Sequence, residues 1–449
     1  MLKRKVTSQI ENRYKTSQSA LLIDGARQVG KTTIIRNFLS DNKINFVEFN
    51  LFENKLAKEA FDTSFNANQL ILKLTALAKK EIKNDTVFFI DEIQEATDSI
   101  TPIKFLIENA KFKFIFSGSL LGIKMKDIVS IPVGYLKIIN MYPLDFEEFL
   151  WANNVNLKTI EYLFDCFKNF LPIDQTIHKQ MMSLFNLYLC IGGMPKAVLN
   201  FIQTNNLKTV NEALEEIDLG YKKDITKYDK NEKLQIQEIY DLIPSELNCQ
   251  NKRFILKNAN EKARFYKYES SFTWLKNSGI GLFVHNVDNP IYPLLASKER
   301  TLFKLFLCDI GLLTYKLYNG NQIEILNGNS TSNYGAIYEA IISQELNSHG
   351  FELFYNSDKK RGEIDFLIEL NNKVIPIEVK SGKNYKRHSS LSNLLSNTAF
   401  NYEYGFVFCN ENIQKINKTI YLPIYLIMFL NKEKTNKDQI VKIDISKLI

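Results

Sequence analysis

The 449 residues predict a multidomain α/β protein: a mainly parallel sheet first, a helical segment next, and a second α/β unit at the end. Three observations predict it. The length suits about three domains of roughly 150 residues each. Over residues 19–150, short apolar runs alternate with amphipathic segments, as in a sheet covered by helices. Near the end, two strand-like stretches flank Asn371-Asn372, a pair suited to a two-residue turn.

Composition narrows the class. An apolar fraction of 45% and a charged fraction of 24%, with 32 Phe and 21 Tyr, describe a folded globular chain. The five cysteines lie far apart with no Cys-x-x-Cys pair, which fits reduced thiols and argues against a structural zinc. The four histidines show no metal-ligand spacing. The apolar stretch at 421–430 is interrupted by Pro423 and is too short for a membrane span. No apolar run follows Met1-Leu2-Lys3-Arg4-Lys5, so a cytoplasmic location is expected. The net charge of +7 has two readings, a Lys- and Asn-rich composition or a polyanion-binding surface.

In chain order, the expected strands of the first sheet are the runs beginning at Ala20, Ile44, Val87, Phe112 and Tyr135. Residues 151–230 read as helix with one break at Gly192-Gly193-Met194-Pro195. Residues 231–319 read as helices followed by strands at 281–285 and 303–307, and the polar stretch 320–333 reads as a linker.

Gly25-Ala26-Arg27-Gln28-Val29-Gly30-Lys31-Thr32 matches G-x-x-x-x-G-K-[ST] between a strand and a helix. Its glycines let backbone N–H groups turn inward around phosphates, and the helix N-terminus adds a favourable dipole. Residues 25–32, with Thr33 after them, are the expected ATP contacts. Lys31 would neutralise the β/γ-phosphates and the Thr32 hydroxyl would ligate Mg2+. Val87-Phe88-Phe89-Ile90-Asp91-Glu92 fits the Walker B pattern. Asp91 would bind Mg2+ through water, and Glu92 would orient or deprotonate the attacking water. At Ser117-Gly118-Ser119, Ser117 is the candidate γ-phosphate sensor, although Ser-Gly-Ser is also ordinary turn chemistry.

These residues resemble a large prokaryotic family of AAA+ ATPases whose members carry a C-terminal domain of unknown function, often nuclease-like. The resemblance rests on the phosphate loop, on Phe89-Ile90-Asp91-Glu92-Ile93-Gln94 and on Ser117-Gly118-Ser119. It continues through Tyr142-Pro143-Leu144-Asp145-Phe146-Glu147-Glu148-Phe149, Gly192-Gly193-Met194-Pro195, Lys223-Asp224-Ile225 and Asp309-Ile310-Gly311-Leu312-Leu313. It implies an AAA+ core (1–150), a helical lid (151–230), a winged-helix-like module (231–320) and a restriction-endonuclease-like domain (334–449). Many relatives carry Gly-Arg before the last core strand. This sequence has Pro132-Val133-Gly134-Tyr135, so no arginine role carries over there.

If Asn371-Asn372 is the hairpin loop, Leu370 faces Lys373 and Asp365 lies opposite Glu378. Ile364, Phe366 and Ile368 then share an apolar face with Ile375, Ile377 and Val379, and Asp365, Glu378 and Lys380 share the other. Facing carboxylates repel unless a cation or proton intervenes, which points to Mg2+ or Mn2+. Lys380 could position a nucleophilic water. These residues look like the PD-(D/E)XK nuclease motif, and Glu339 matches the acid that this family often places on its first helix. The alternative is structural: Lys380 also faces Glu363 as an ordinary ion pair, and Pro376 fits poorly in a central strand.

Residues 243–247 are expected to break a helix. The segment 261–278 mixes Lys262, Arg264, Lys267 and Lys276 with Phe265, Tyr266, Tyr268, Phe272 and Trp274. A DNA-reading winged helix and an amphipathic helix packed by its aromatics both fit. The expected activity is Mg2+-ATP binding and hydrolysis by a DNA-associated protein with a nuclease-like end. The alternative is a nucleotide-switched signalling or remodelling ATPase whose last domain only binds nucleic acid or protein. Expected partners are ATP and DNA, with a second copy of the chain as a further candidate and no membrane.

Overall fold

The computed structural model describes residues 2–17, 19–96, 112–118, 136–226, 230–247, 249, 252–256, 265–326, 334–358 and 362–432. The first sheet has five parallel strands, β1 (Ala20–Asp24), β2 (Phe46–Asn50), β3 (Val87–Asp91), β4 (Lys113–Gly118) and β5 (Leu136–Asn140). Their order is β2-β3-β4-β1-β5. All five expected apolar runs form strands. The second starts at Phe46, directly opposite Val87, the first residue of β3. Helices α1 (Val6–Thr16) and α2 (Lys31–Asp41) flank one face, and α3 (Lys55–Asp62) and α4 (Ala67–Leu77) cover the other. Every residue of β3 is buried.

The helical segment comprises α5 (Phe146–Ala152), α6 (Leu157–Asn169), α7 (Gln175–Ile191), α8 (Pro195–Thr204) and α9 (Leu207–Ile225). Asp145 and Glu148 form a reciprocal capping box at the start of α5. Proline at the first position of α8 needs no hydrogen-bonded N–H, so the break at 192–194 costs little there.

Helix α10 (Lys230–Leu247) does not break at 243–247 as expected. Pro244 lies in its final turn, and the buried Ile239, Tyr240, Ile243 and Leu247 hold that turn in place. Next come α11 (Phe265–Asn277), β6 (Gly281–Val287), β7 (Lys298–Leu307), α12 (Ile310–Tyr318) and α13 (Ile323–Leu326). The aromatics of α11 are largely spent on packing: Phe272 meets Phe303 at 5.1 Å and Phe265 at 5.7 Å. Tyr266 stays exposed, and Lys262 and Arg264 lie outside the described residues. The expected linker 320–333 contains α13, with Gln322 and Ile325 buried, and its remainder from 327 lies outside the described residues. Ser119 and residues 132–135 also lie outside them.

The last segment adds α14 (Tyr334–Ser348), β8 (Phe354–Asp358), β9 (Gly362–Leu370), β10 (Lys373–Val379), α15 (Ser389–Ser396), β11 (Gly405–Cys409), β12 (Gln414–Ile416) and β13 (Thr419–Pro423). The hairpin register is the expected one, with Leu370 opposite Lys373 and Phe366 opposite Ile377. Both turn asparagines take positive φ, 51° and 60°. Pro376 is tolerated in β10 because the ladder to β11 begins at Ile377.

The pairing of β6 was not foreseen. It runs parallel to β8, with His285 opposite Phe354, so β6 and β7 complete an eight-stranded sheet of order β12-β13-β11-β10-β9-β8-β6-β7. The 231–320 module and the C-terminal segment therefore share one sheet. A single buried cluster runs from Leu21 and Ile23 through Phe149 and Tyr188 to Tyr338, Phe366 and Ile377. Among the described residues, no helix is long and apolar enough to cross a membrane.

A piece comprising residues 334–432 alone would expose the edge of β8 that β6 covers. We expect it to lack a cooperative thermal transition by circular dichroism. A sharp transition with native-like secondary structure would contradict the dependence on β6.

Candidate nucleotide-binding site

The loop after β1 is shaped by two glycines. Gly25 has φ 155°, and a Cβ there would stand 2.1 Å from the Met141 carbonyl oxygen. Gly30 has φ 97° and opens α2 in the left-handed region. The first N–H groups of α2 have no partner within the helix, the arrangement that anions favour at a helix N-terminus. The Lys31 ammonium is buried and donates to the Gly25 and Ala26 carbonyls, each at 2.9 Å. Burial lowers its pKa, against the pull of Glu92, Asp24 and Asp91. Ala26 and Val29 are buried, whereas Arg27, Gln28 and Thr33 are exposed.

Because β4 lies between β1 and β3, the ends of three strands converge beside Thr32. Asp91 accepts from the Thr32 hydroxyl at 3.0 and 3.1 Å, from the Asn50 amide at 3.1 Å, and from the buried Ser117 hydroxyl. A hydroxyl against a carboxylate at a phosphate loop is the donor set that Mg2+ accepts. Glu92 takes φ 55°, a left-handed conformation uncommon for a residue with a side chain, and the Gln94 amide donates to its carboxylate. Sequence reasoning missed Asn50. The available signal was its place at the end of β2, directly opposite Asp91 in the parallel register.

Distant segments hold the loop from outside. Arg27 pairs with Asp224 of α9 at 2.7 Å, and the Tyr221 hydroxyl donates to the Arg27 carbonyl at 3.3 Å. The turn at Gly279 abuts the Ala26 nitrogen so closely that a Cβ would lie 3.2 Å from it. Arg4 donates to the Val29 carbonyl at 3.2 Å and to the Tyr142 carbonyl at 2.6 Å, and pairs with buried Glu148 at 3.0 Å. Burial, then the neighbouring Asp145, pushes the Glu148 carboxyl up to about 7, against Arg4 and Lys5. Gly193 accepts from the Leu144 N–H at 2.7 Å and donates to Asp309 at 2.6 Å, while Asp309 caps α12 through Leu312 at 3.0 Å. Phe146 donates to Glu345 of α14 at 2.9 Å. The motif pieces far apart in sequence are thus joined by buried hydrogen bonds.

The carboxylates of the C-terminal hairpin also come together. Asp365 accepts from the Val379 N–H at 2.8 Å, and Glu378 pairs with Lys380 at 2.6 Å. The alternative Lys380–Glu363 pair is not formed, because Glu363 pairs with Lys304 of β7 at 2.7 Å. Lys304 also meets Glu339 at 3.1 Å, and Lys252 pairs with Glu339. Burial, then Glu339 and Glu378, holds the Asp365 carboxyl well above the usual range, and burial also raises Glu378 against Lys380. Burial opposes the charge on Lys304, but Glu339, Glu363 and Asp365 outweigh it and raise its pKa. Among the described residues, no three His, Cys, Asp or Glu side chains are arranged to hold one metal ion. The expected Mg2+ or Mn2+ site at Glu339, Asp365 and Glu378 therefore does not fit the arrangement found, since ammonium groups already face these acids. Lys304 was missed. Its signal was a lysine interrupting the apolar run Phe303–Leu307.

Residues 17–150 match the family model of an AAA domain. Residues 182–322 and 334–427 match two domains of unknown function, DUF8612 and DUF4143. An uncharacterized protein of Methanocaldococcus jannaschii is 26% identical over 365 residues, covering 78% of this chain and 72% of that protein. An uncharacterized protein of Haemophilus influenzae is 25% identical over 154 residues, covering 32% of this chain and 36% of that protein. Among solved structures, a Walker-type ATPase of Pyrococcus abyssi aligns with TM-score 0.43 and 14% identity, over 70% of this chain and 96% of that one. The Aeropyrum pernix ORC1 protein, solved in complex with DNA, aligns with TM-score 0.32 and 11% identity, over 73% and 92%.

Asp309 yields a pH prediction. It is fully buried, and burial pushes its carboxyl up to about 6 despite N–H groups from Gly193, Leu312 and Gly311. An unfolded aspartate titrates near 3.9, so over this window the folded state binds more protons and stability falls as pH rises. The shift corresponds to at most about 3 kcal/mol. In urea unfolding, the stability of wild type relative to Asp309→Asn should fall by up to that amount between about pH 4 and pH 7. A pH-independent difference would contradict the assignment.

Proposed function

We propose that this chain, with its AAA+ ATPase-like core, binds and hydrolyses ATP and works as a nucleotide-dependent switch. The observation that carries the proposal is the convergence of Lys31, Thr32, Asp91 and Glu92 on one phosphate loop, with Asn50 and Ser117 holding the Asp91 carboxylate. Lys31 exchanges its two loop carbonyls for phosphate oxygens, a stronger charge-assisted contact. Thr32 and Asp91 would hold Mg2+, which neutralises charge on the phosphates when bound. Glu92, steadied by Gln94, takes the proton of the attacking water or orients that water. The backbone N–H groups of the loop and the N-terminus of α2 receive the phosphates.

The switch reading rests on Arg27, whose exposed guanidinium sits in the phosphate loop and is held by Asp224. Phosphates entering the loop compete with Asp224 for Arg27, and a change in that pairing shifts α9 relative to the core. The partner proposed for the switch is a polyanion such as DNA, with which the net charge of +7 is compatible. The nuclease activity expected from the hairpin draws no support from the carboxylate arrangement, so the C-terminal domain is read as a binding module.

Lys31→Ala should weaken ATP binding by roughly 10- to 100-fold in a Mg2+-ATP titration. Glu92→Gln should preserve binding and lower kcat by about 100-fold or more. Unchanged turnover in Glu92→Gln would remove Glu92 from the chemistry. DNA added to the assay should raise turnover at low salt and lose its effect as salt rises, whereas a salt-independent response would exclude an electrostatic DNA contact.

A further inference from the structure

Lys304 lies in β7, between Phe303 and Leu305, and its side chain is wholly buried. A lone ammonium in such a place is strongly destabilising unless it is paired and hydrogen-bonded. Its three carboxylate partners come from two elements: Glu339 of α14 at 3.1 Å, Glu363 of β9 at 2.7 Å and Asp365 of β9 at 4.0 Å. The Tyr355 ring of β8 lies 5.1 Å from the same nitrogen. Lys252 takes the other oxygen of Glu339, and Lys380 takes one oxygen of Glu378. Each of the four carboxylates thus faces an ammonium group. A divalent ion at this place would need several of these oxygens to converge within about 2.0–2.6 Å of one point. The Lys304 nitrogen itself lies within 4.0 Å of both Glu339 and Asp365, so an ammonium group already stands against two of these acids.

We infer that Lys304 is an internal counter-ion that closes this cluster to divalent cations, so that the C-terminal domain cleaves no phosphodiester by metal catalysis and the cluster instead ties β7 and α14 to β9. The inference stands apart from the ATPase reading, since it concerns the second sheet and is tested without nucleotide. The cation is supplied by β7, a strand of the preceding segment that joins the sheet through β6. The unsatisfied Oε2 of Glu378 marks the end of the cluster that Lys304 does not reach.

The test is Mn2+ binding to the nucleotide-free full chain by electron paramagnetic resonance. Wild type should bind no Mn2+ at up to about 1 mM that Asp365→Asn removes, whereas Lys304→Ala should bind one additional ion per chain, lost again in Lys304→Ala with Asp365→Asn. The thermal midpoint of Lys304→Ala should rise on adding Mn2+, while that of wild type should not move. Wild-type Mn2+ binding that Asp365→Asn abolishes would overturn the inference, as would Mn2+-dependent plasmid cleavage abolished by the same change. A folded Lys304→Ala that binds no Mn2+ would overturn it too. If Lys304→Ala does not fold, the two wild-type measurements still decide.

Discussion

The phosphate loop is clasped by parts of the chain far from it in sequence, and that constraint links the first sheet to the N-terminal segment, to α9 and to the turn before β6. Arg27 pairs with Asp224, 197 residues away. The Arg27 carbonyl accepts from Tyr221, the Val29 carbonyl accepts from Arg4, and the Ala26 nitrogen lies against Gly279. The N-terminal segment, helix α9 and the turn before β6 thereby fix the backbone that would receive phosphate. Any displacement of that loop is felt by all three, because close-packed contacts transmit strain rather than absorb it.

The charged groups behind the loop are organised by the same physics. Arg4 and Glu148 are both buried, and Asp145 is shared between Lys5 and the capping box of α5. Buried pairs of this kind add little net stability compared with apolar packing, yet removing one partner strands the other. They specify how the N-terminal segment, the core and α14 sit together. The Lys304 cluster does the same for the second sheet, where three lysines face four carboxylates across α14, β7, β9 and β10.

What the sequence revealed was local. The strand–loop–helix of the phosphate site follows from glycine placement and period-2 apolar runs, and the β9–β10 register follows from Asn371-Asn372 and one apolar face. What it hid was non-local. Parallel pairing of β6 with β8 leaves no turn signal, because a long connection containing α14 separates the two strands. Lys304 reads as a surface residue until the strand carrying it is placed inside a sheet. Asn50 needs the order of β2 and β3 before it can be set against Asp91. Pro244 read as a helix break because proline removes one backbone bond, and tertiary packing of Tyr240 and Leu247 outweighed it.

The central claim is that nucleotide at the loop is felt by the segments that clasp it. It is tested most directly by hydrogen exchange on the Glu92→Gln protein, with and without Mg2+-ATP. The account predicts altered exchange at residues 221–226, at the end of α9, and at 278–280, beyond the loop itself. Changes confined to residues 25–41, with residues 221–226 and the 278–280 turn unaltered, would contradict it.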